Sequence, residues 1–133
     1  MLTLCFSAIL LHLRLSKLRD LSLGYNVMGA AGVRALGPHL KSLSTLQVLG
    51  LEKNQFGATG AEALAPHLAG LTALQHLRLG ANNMGVAGAK ALAPHLQSLT
   101  SLKVLSFVDN GMGVEGIKAL EAGSFPLPCD ITL

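Results

Sequence analysis

Leu74-Gln-His-Leu-Arg-Leu-Gly-Ala-Asn-Asn-Met-Gly-Val-Ala-Gly-Ala-Lys-Ala-Leu92 holds two different periodicities in one short stretch. Its opening, Leu-x-x-Leu-x-Leu, ends in an alternation of period two, the mark of a short strand with one buried face. After two glycines the apolar residues change spacing. The same region one unit or more upstream shows it best: Val33, Leu36, Leu40 and Leu43 recur every three to four residues, as on one face of a helix.

The stretch repeats with a period of 28 through four copies without slippage. Units begin at Leu18, Leu46, Leu74 and Leu102. Their fourth position is Leu21, Leu49, Leu77 and Leu105, and their sixth is Leu23, Leu51, Leu79 and Phe107. Asn26, Asn54, Asn82 and Asn110 form the ninth column. Two glycine columns follow (Gly29, Gly57, Gly85, Gly113 and Gly32, Gly60, Gly88, Gly116), then Ala35, Ala63, Ala91 and Ala119, each followed by leucine. Strand, turn and helix at one fixed period require parallel strands, because each unit must return to the same side. No unit can bury its own apolar stripe, but stacked units close a continuous core between sheet and helices. Parallel strands lie about 4.8 Å apart, whereas packed helices need about 8–10 Å. The stack must curve, with the sheet on the concave face and the helices on the convex one. The expected architecture is an α/β right-handed solenoid, with strands near 20–24, 48–52, 76–80 and 104–108. Its helices are expected near 30–42, 58–70, 86–98 and 114–121.

Composition agrees with a core of stacked layers. Half of the 133 residues are hydrophobic, yet only 4% are aromatic and 13% charged. Leu and Ala at fixed spacing fill a core without the large aromatics that irregular domains use. The net charge is +3, but the ten Lys and Arg are spread along the chain without a run. That is a poor footprint for nucleic acid or a membrane surface. Cys5 and Cys129 stand at opposite ends of the sequence, so a bridge between them is not expected in a solenoid. Two unpaired thiols suit a reducing compartment, and a cytoplasmic location is the expectation.

Both ends depart from the pattern. The apolar run Met1–Leu11 has no basic residues ahead of it and no clear small-x-small cleavage site, and it is too short to span a bilayer. Residues 8–18 align with 35–46 after a single-residue gap, so residues 1–17 read as the tail of a preceding degenerate repeat. Residues 18–121 are the four repeats, and 122–133 read as an irregular C-terminal tail. The tail carries Phe125, Leu127, Ile131 and Leu133 where a solenoid needs a polar end. Either it folds over the last layer or the chain is part of a longer array, and the second reading is preferred.

The pattern L-x-x-L-x-L-x-x-N followed by a helix resembles the leucine-rich-repeat superfamily. The 28-residue unit and the G-x-x-G-A-x-A-L helix resemble its ribonuclease-inhibitor-like branch, which includes the arrays of NOD-like receptors and the Ran GTPase-activating proteins. The resemblance covers about residues 8–121. It implies the curved fold and a protein partner. It also implies two alternatives: a GTPase activator of the Ran type, or the sensor-array fragment of a NOD-like receptor.

Chemistry-bearing motifs are scarce. No G-x-x-x-x-G-K-[ST] loop, Gly-x-Ser-x-Gly elbow or recurring carboxylate pair occurs. Neither a catalytic residue nor a cofactor or small-molecule substrate is expected, and the chain reads as no enzyme. His39, His67 and His95 recur in Pro-His-Leu, but equivalent helix positions about 8–10 Å apart cannot share one metal ion. Pro38, Pro66 and Pro94 fall inside the helical stretch, where proline predicts a kink or a 3₁₀ turn. The Asn column reads as a structural ladder, since an amide can satisfy backbone groups freed where each strand ends. The concave strand residues vary from unit to unit, and that diversity marks a binding face. The candidate partner-binding residues are Asp20, Tyr25, Glu52, Lys53, His76, Arg78 and Asp109, with an ion pair expected between Glu52 and Arg78.

Overall fold

The computed structural model describes residues 17–123 and 130–133. The readings of residues 1–16 as a repeat tail, and of both cysteines as unpaired, lie outside the described residues. Strands and helices alternate: β1 (Asp20–Ser22), α1 (Gly29–Leu40), β2 (Val48–Gly50), α2 (Gly57–Leu68), β3 (His76–Arg78), α3 (Gly85–Leu96), β4 (Val104–Ser106), α4 (Gly113–Glu121) and β5 (Asp130–Thr132). All five strands form one parallel sheet in sequence order. Leu21, Leu49, Leu77 and Leu105 stand in register across it. Each helix packs against the next one along the stack.

One leucine-dominated core fills the space between sheet and helices. It takes Leu49, Leu51, Leu77, Leu79, Leu105 and Phe107 from the strands and their continuations, and Leu64, Leu68, Leu92 and Leu96 from the helices, all shielded from solvent. The second glycine column belongs to this packing. A β-carbon on Gly88 would come within 2.6 Å of the Met84 β-carbon and 3.3 Å of that of Ala61. Helix α3 therefore reaches its neighbour only because no side chain stands there.

The strands are shorter than the alternation predicts, three residues rather than five. The backbone pairing continues a little further, with Leu23 N–H donating to Gly50 C=O and Tyr25 N–H to Glu52 C=O, each at 2.8 Å. The chain then turns through left-handed residues, and the extended conformation ends. The helices start one residue earlier and stop two residues sooner than predicted for the first three units, at Leu40, Leu68 and Leu96.

The prolines do not interrupt the helices. Pro38, Pro66 and Pro94 each lie inside a helix that runs two residues further. Each proline is exposed, as is the residue four before it (Arg34, Glu62, Lys90), so the missing hydrogen bond falls on the solvent-facing side of each helix. The tighter bonds come after the helices, where Leu43 N–H donates to Leu40 C=O and Leu71 N–H to Leu68 C=O.

Residues 130–132, expected to be irregular, form β5 instead. Asp130, Ile131 and Thr132 pair with Val104, Leu105 and Ser106, and Phe107 N–H donates to Thr132 C=O at 2.7 Å. The offset here is 26 residues rather than 28, which is why β5 falls outside the repeat columns.

His67 of Pro-His-Leu occupies a notch of its own. Its ring lies where a side chain on Gly37 would stand, and the second and third units carry Ala65 and Ala93 at the position of Gly37. Its Nδ1 is sealed from solvent and has no hydrogen-bond partner among the described residues. Burial, and secondarily the charge of Lys41, lowers its pKa below the ordinary 6.5. The folded chain therefore resists protonation at His67, while the unfolded chain takes the proton at the ordinary value. Stability is unaffected above that value, falls as pH drops through it, and levels off below the lowered folded pKa. Thermal melts across this pH range should show His67→Gln losing less stability on acidification than the parent. Parallel pH profiles for the two proteins would exclude the effect.

Candidate functional site

The sheet has one face under the helices and one without cover. In β1 the central Leu21 points into the core while Asp20 and Ser22 are exposed, and the same phase places Val48, His76, Arg78, Val104 and Ser106 on the uncovered face. Because helices need twice the spacing of strands, this is the concave side. Pairing register gives its layout. One row runs Asp20, Val48, His76, Val104, and the next Ser22, Gly50, Arg78, Ser106. A third row, at the strand ends, is Gly24, Glu52, Gly80 and Val108.

Asp20 accepts a hydrogen bond from the Ser22 hydroxyl at 2.9 Å. His76 is half-buried between Val48 and Val104, and Arg78 is exposed between Gly50 and Ser106. Tyr25, Lys53 and Asp109 lie beyond the strands, in the turns that follow, with φ of 64°, 54° and 59°. They form the rim of the face rather than its floor. The structure brings Tyr25 and Lys53 together, the ammonium 4.7 Å from the ring centroid, a cation–π contact. Asp20 and Asp109 stand on the first and fourth units and do not meet. Among the described residues no ion pair joins Glu52 to Arg78, contrary to the expectation.

Glu52 instead lies flat against the floor. A β-carbon on Gly24 would be 2.8 Å from its carboxyl carbon, and one on Gly50 would be 3.0 Å from Oε2. The carboxylate thus occupies space that two missing side chains leave. Oε2 is sealed from solvent and accepts no hydrogen bond from any described residue.

Val27 is the rim residue that the sequence reading missed. It is 66% exposed beside Tyr25 at 68%, with φ of 50°. A β-branched residue rarely adopts that conformation, and the other units carry Gln55, Asn83 and Gly111 there. The signal was present as a column that holds polar residues or glycine in every unit but the first.

The asparagine column runs beneath this rim. Asn82 Oδ1 accepts from Asn54 N–H at 2.7 Å, and Asn82 Nδ2 donates to the carbonyls of Leu51 (2.9 Å) and Leu79 (3.0 Å). Asn110 and Asn54 make equivalent bonds, each reaching one unit back. Asn54, Asn82 and Asn110 are buried, whereas Asn26, at the end of the column, is exposed. Their amides are consumed by backbone and offer nothing to a ligand.

Among the described residues no three His, Cys, Asp or Glu side chains converge as a metal-binding set. No described helix is long and apolar enough to cross a membrane.

No curated protein matches the chain. A family model described as "Leucine Rich repeat" matches residues 10–37, 42–65, 70–93 and 94–120, well over half the sequence. Such repeats generally mediate protein–protein interaction, and are typically not enzymes. With four matched segments carried on one continuous parallel ladder, this chain belongs to the leucine-rich-repeat family.

Proposed function

We propose that the chain is a protein-interaction module of the ribonuclease-inhibitor-like branch, capturing a protein partner on its concave face, and that it works in the cytoplasm without catalysis. One observation carries this reading. The side chains on the uncovered sheet face differ from unit to unit, Asp20, Val48, His76 and Val104 in one row and Ser22, Gly50, Arg78 and Ser106 in the next, while the core columns behind them hardly change. Packing constrains the buried side of each strand, and the other side is left to present a distinct surface. No observation favours the Ran-type GTPase activator or the receptor-fragment alternative over simple capture.

Arg78 is the residue to test. It is exposed, so its loss should leave folding nearly unchanged, and its guanidinium can direct several hydrogen bonds into a partner. Immobilised Arg78→Ala should lose captured protein by at least about tenfold, the scale of a hot-spot residue. Lys90→Ala, on the exposed side of α3, serves as control and should capture normally. If Lys90→Ala abolishes capture and Arg78→Ala does not, the binding face is the helical one.

A further inference from the structure

We propose that Glu52 is a receptor for a cationic side chain, arginine or lysine, presented by the partner; this rests on the concave-face reading above. The carboxylate lies over Gly24 and Gly50, in space that a side chain at either position would take. Glu52 as a whole is only half-buried, so an incoming group reaches it from the concave side.

The lysine next to it in the sequence is engaged elsewhere. Lys53, the next residue, turns over the Tyr25 ring, and Arg78, on the adjoining strand, forms no ion pair with Glu52 among the described residues. Oε2 rests sealed from water with no donor among the described residues. The carboxylate has thus given up part of its hydration without recovering it, so a charged donor meeting its open side gains more there than at a fully solvated glutamate. Tyr25 and Lys53 stand on the rim beside it. The ring already holds the Lys53 ammonium, so the carboxylate itself is what an incoming cation would meet.

The test uses the intact chain and small probes. The side-chain carboxyl carbon of Glu52 is followed by NMR during titration with N-acetyl-arginine amide, with N-acetyl-citrulline amide as the neutral isostere and α-N-acetyl-lysine amide as the second cation. A saturable shift with the cations and none with citrulline is expected, and the stronger of the two cations identifies the partner's residue. Glu52→Gln should weaken arginine-amide binding at least about tenfold, the scale of a charge-assisted hydrogen bond. Gly24→Ala, which sets a methyl where the carboxyl group rests, should weaken it as well. A Glu52 resonance indifferent to both cations, or binding undiminished in Glu52→Gln, overturns the proposal. Indifference together with Arg78-dependent capture overturns the cation receptor alone and leaves the concave-face reading standing. A cation response together with Lys90-dependent capture does the reverse.

Discussion

Leu77→Ala is expected to lower the free energy of unfolding by about 2–5 kcal/mol, measured by urea denaturation. Leu77 is the centre of β3 and is fully shielded from solvent. Leu49 and Leu105 flank it in register, and both are themselves fully buried. A layer held on both sides by similar layers cannot collapse into the space that the lost side-chain atoms leave, so the cavity persists and the upper part of the range applies. Whole domains of modest size are stable by only about 5–15 kcal/mol. The same change at Leu21, in the first described strand and 9% exposed, should cost less. Equal losses at the two positions would contradict the layered packing.

Asn82→Asp is expected to cost about 3–5 kcal/mol at neutral pH, the scale of an uncompensated buried charge. The substitution keeps the shape of the side chain and removes its donors. A carboxylate would then face the carbonyl oxygens of Leu51, Leu79 and Gly80, which now lie 2.9, 3.0 and 3.2 Å from Nδ2. Burial and those carbonyls would hold the aspartate pKa above its unfolded value. The penalty should therefore shrink as pH falls through the folded pKa, giving a variant partly rescued by acid. Asn26→Asp, at the exposed end of the column, makes an internal comparison, because among the described residues its side chain bonds only Leu23 and Gly24 of its own unit. Chemical denaturation at neutral and acidic pH distinguishes the two. A neutral Asn82→Asp would show that the ladder contributes little.

The repeat columns made the core, the parallel sheet and the helix positions legible, since a buried position admits few residue types and its repetition exposes it. Conformations that carry no residue preference stayed hidden. Tyr25, Lys53, Ala81 and Asp109 share a left-handed backbone, yet no common chemistry, and so the turn that ends each strand early could not be read from them. Strand β5 was missed because its 26-residue offset breaks the columns, and Pro126 and Pro128 precede it. At the candidate site, the strand positions that alternate with the buried leucines were legible as the uncovered face. That Glu52 would itself lie down over Gly24 and Gly50, rather than reach Arg78, depended on two residues of different units meeting beneath one side chain.

The hydrogen bonds of the asparagine column recur at fixed separations, 28 residues from backbone N–H to Oδ1 and 31 from Nδ2 to the carbonyl of the preceding unit. Unequal recombination between any two equivalent codons preserves every one of those separations, wherever in the unit the crossover falls. The array can thus lengthen or shorten by whole units while each junction remains chemically indistinguishable from the ones beside it. An insertion of a few residues has no such freedom between Leu77 and Asn82, and would be tolerated first in the exposed turn after a helix, around Gln97 and Ser98. The architecture thus leaves three places for heritable change: the number of units, the length of the exposed turns after the helices, and the side chains on the open face.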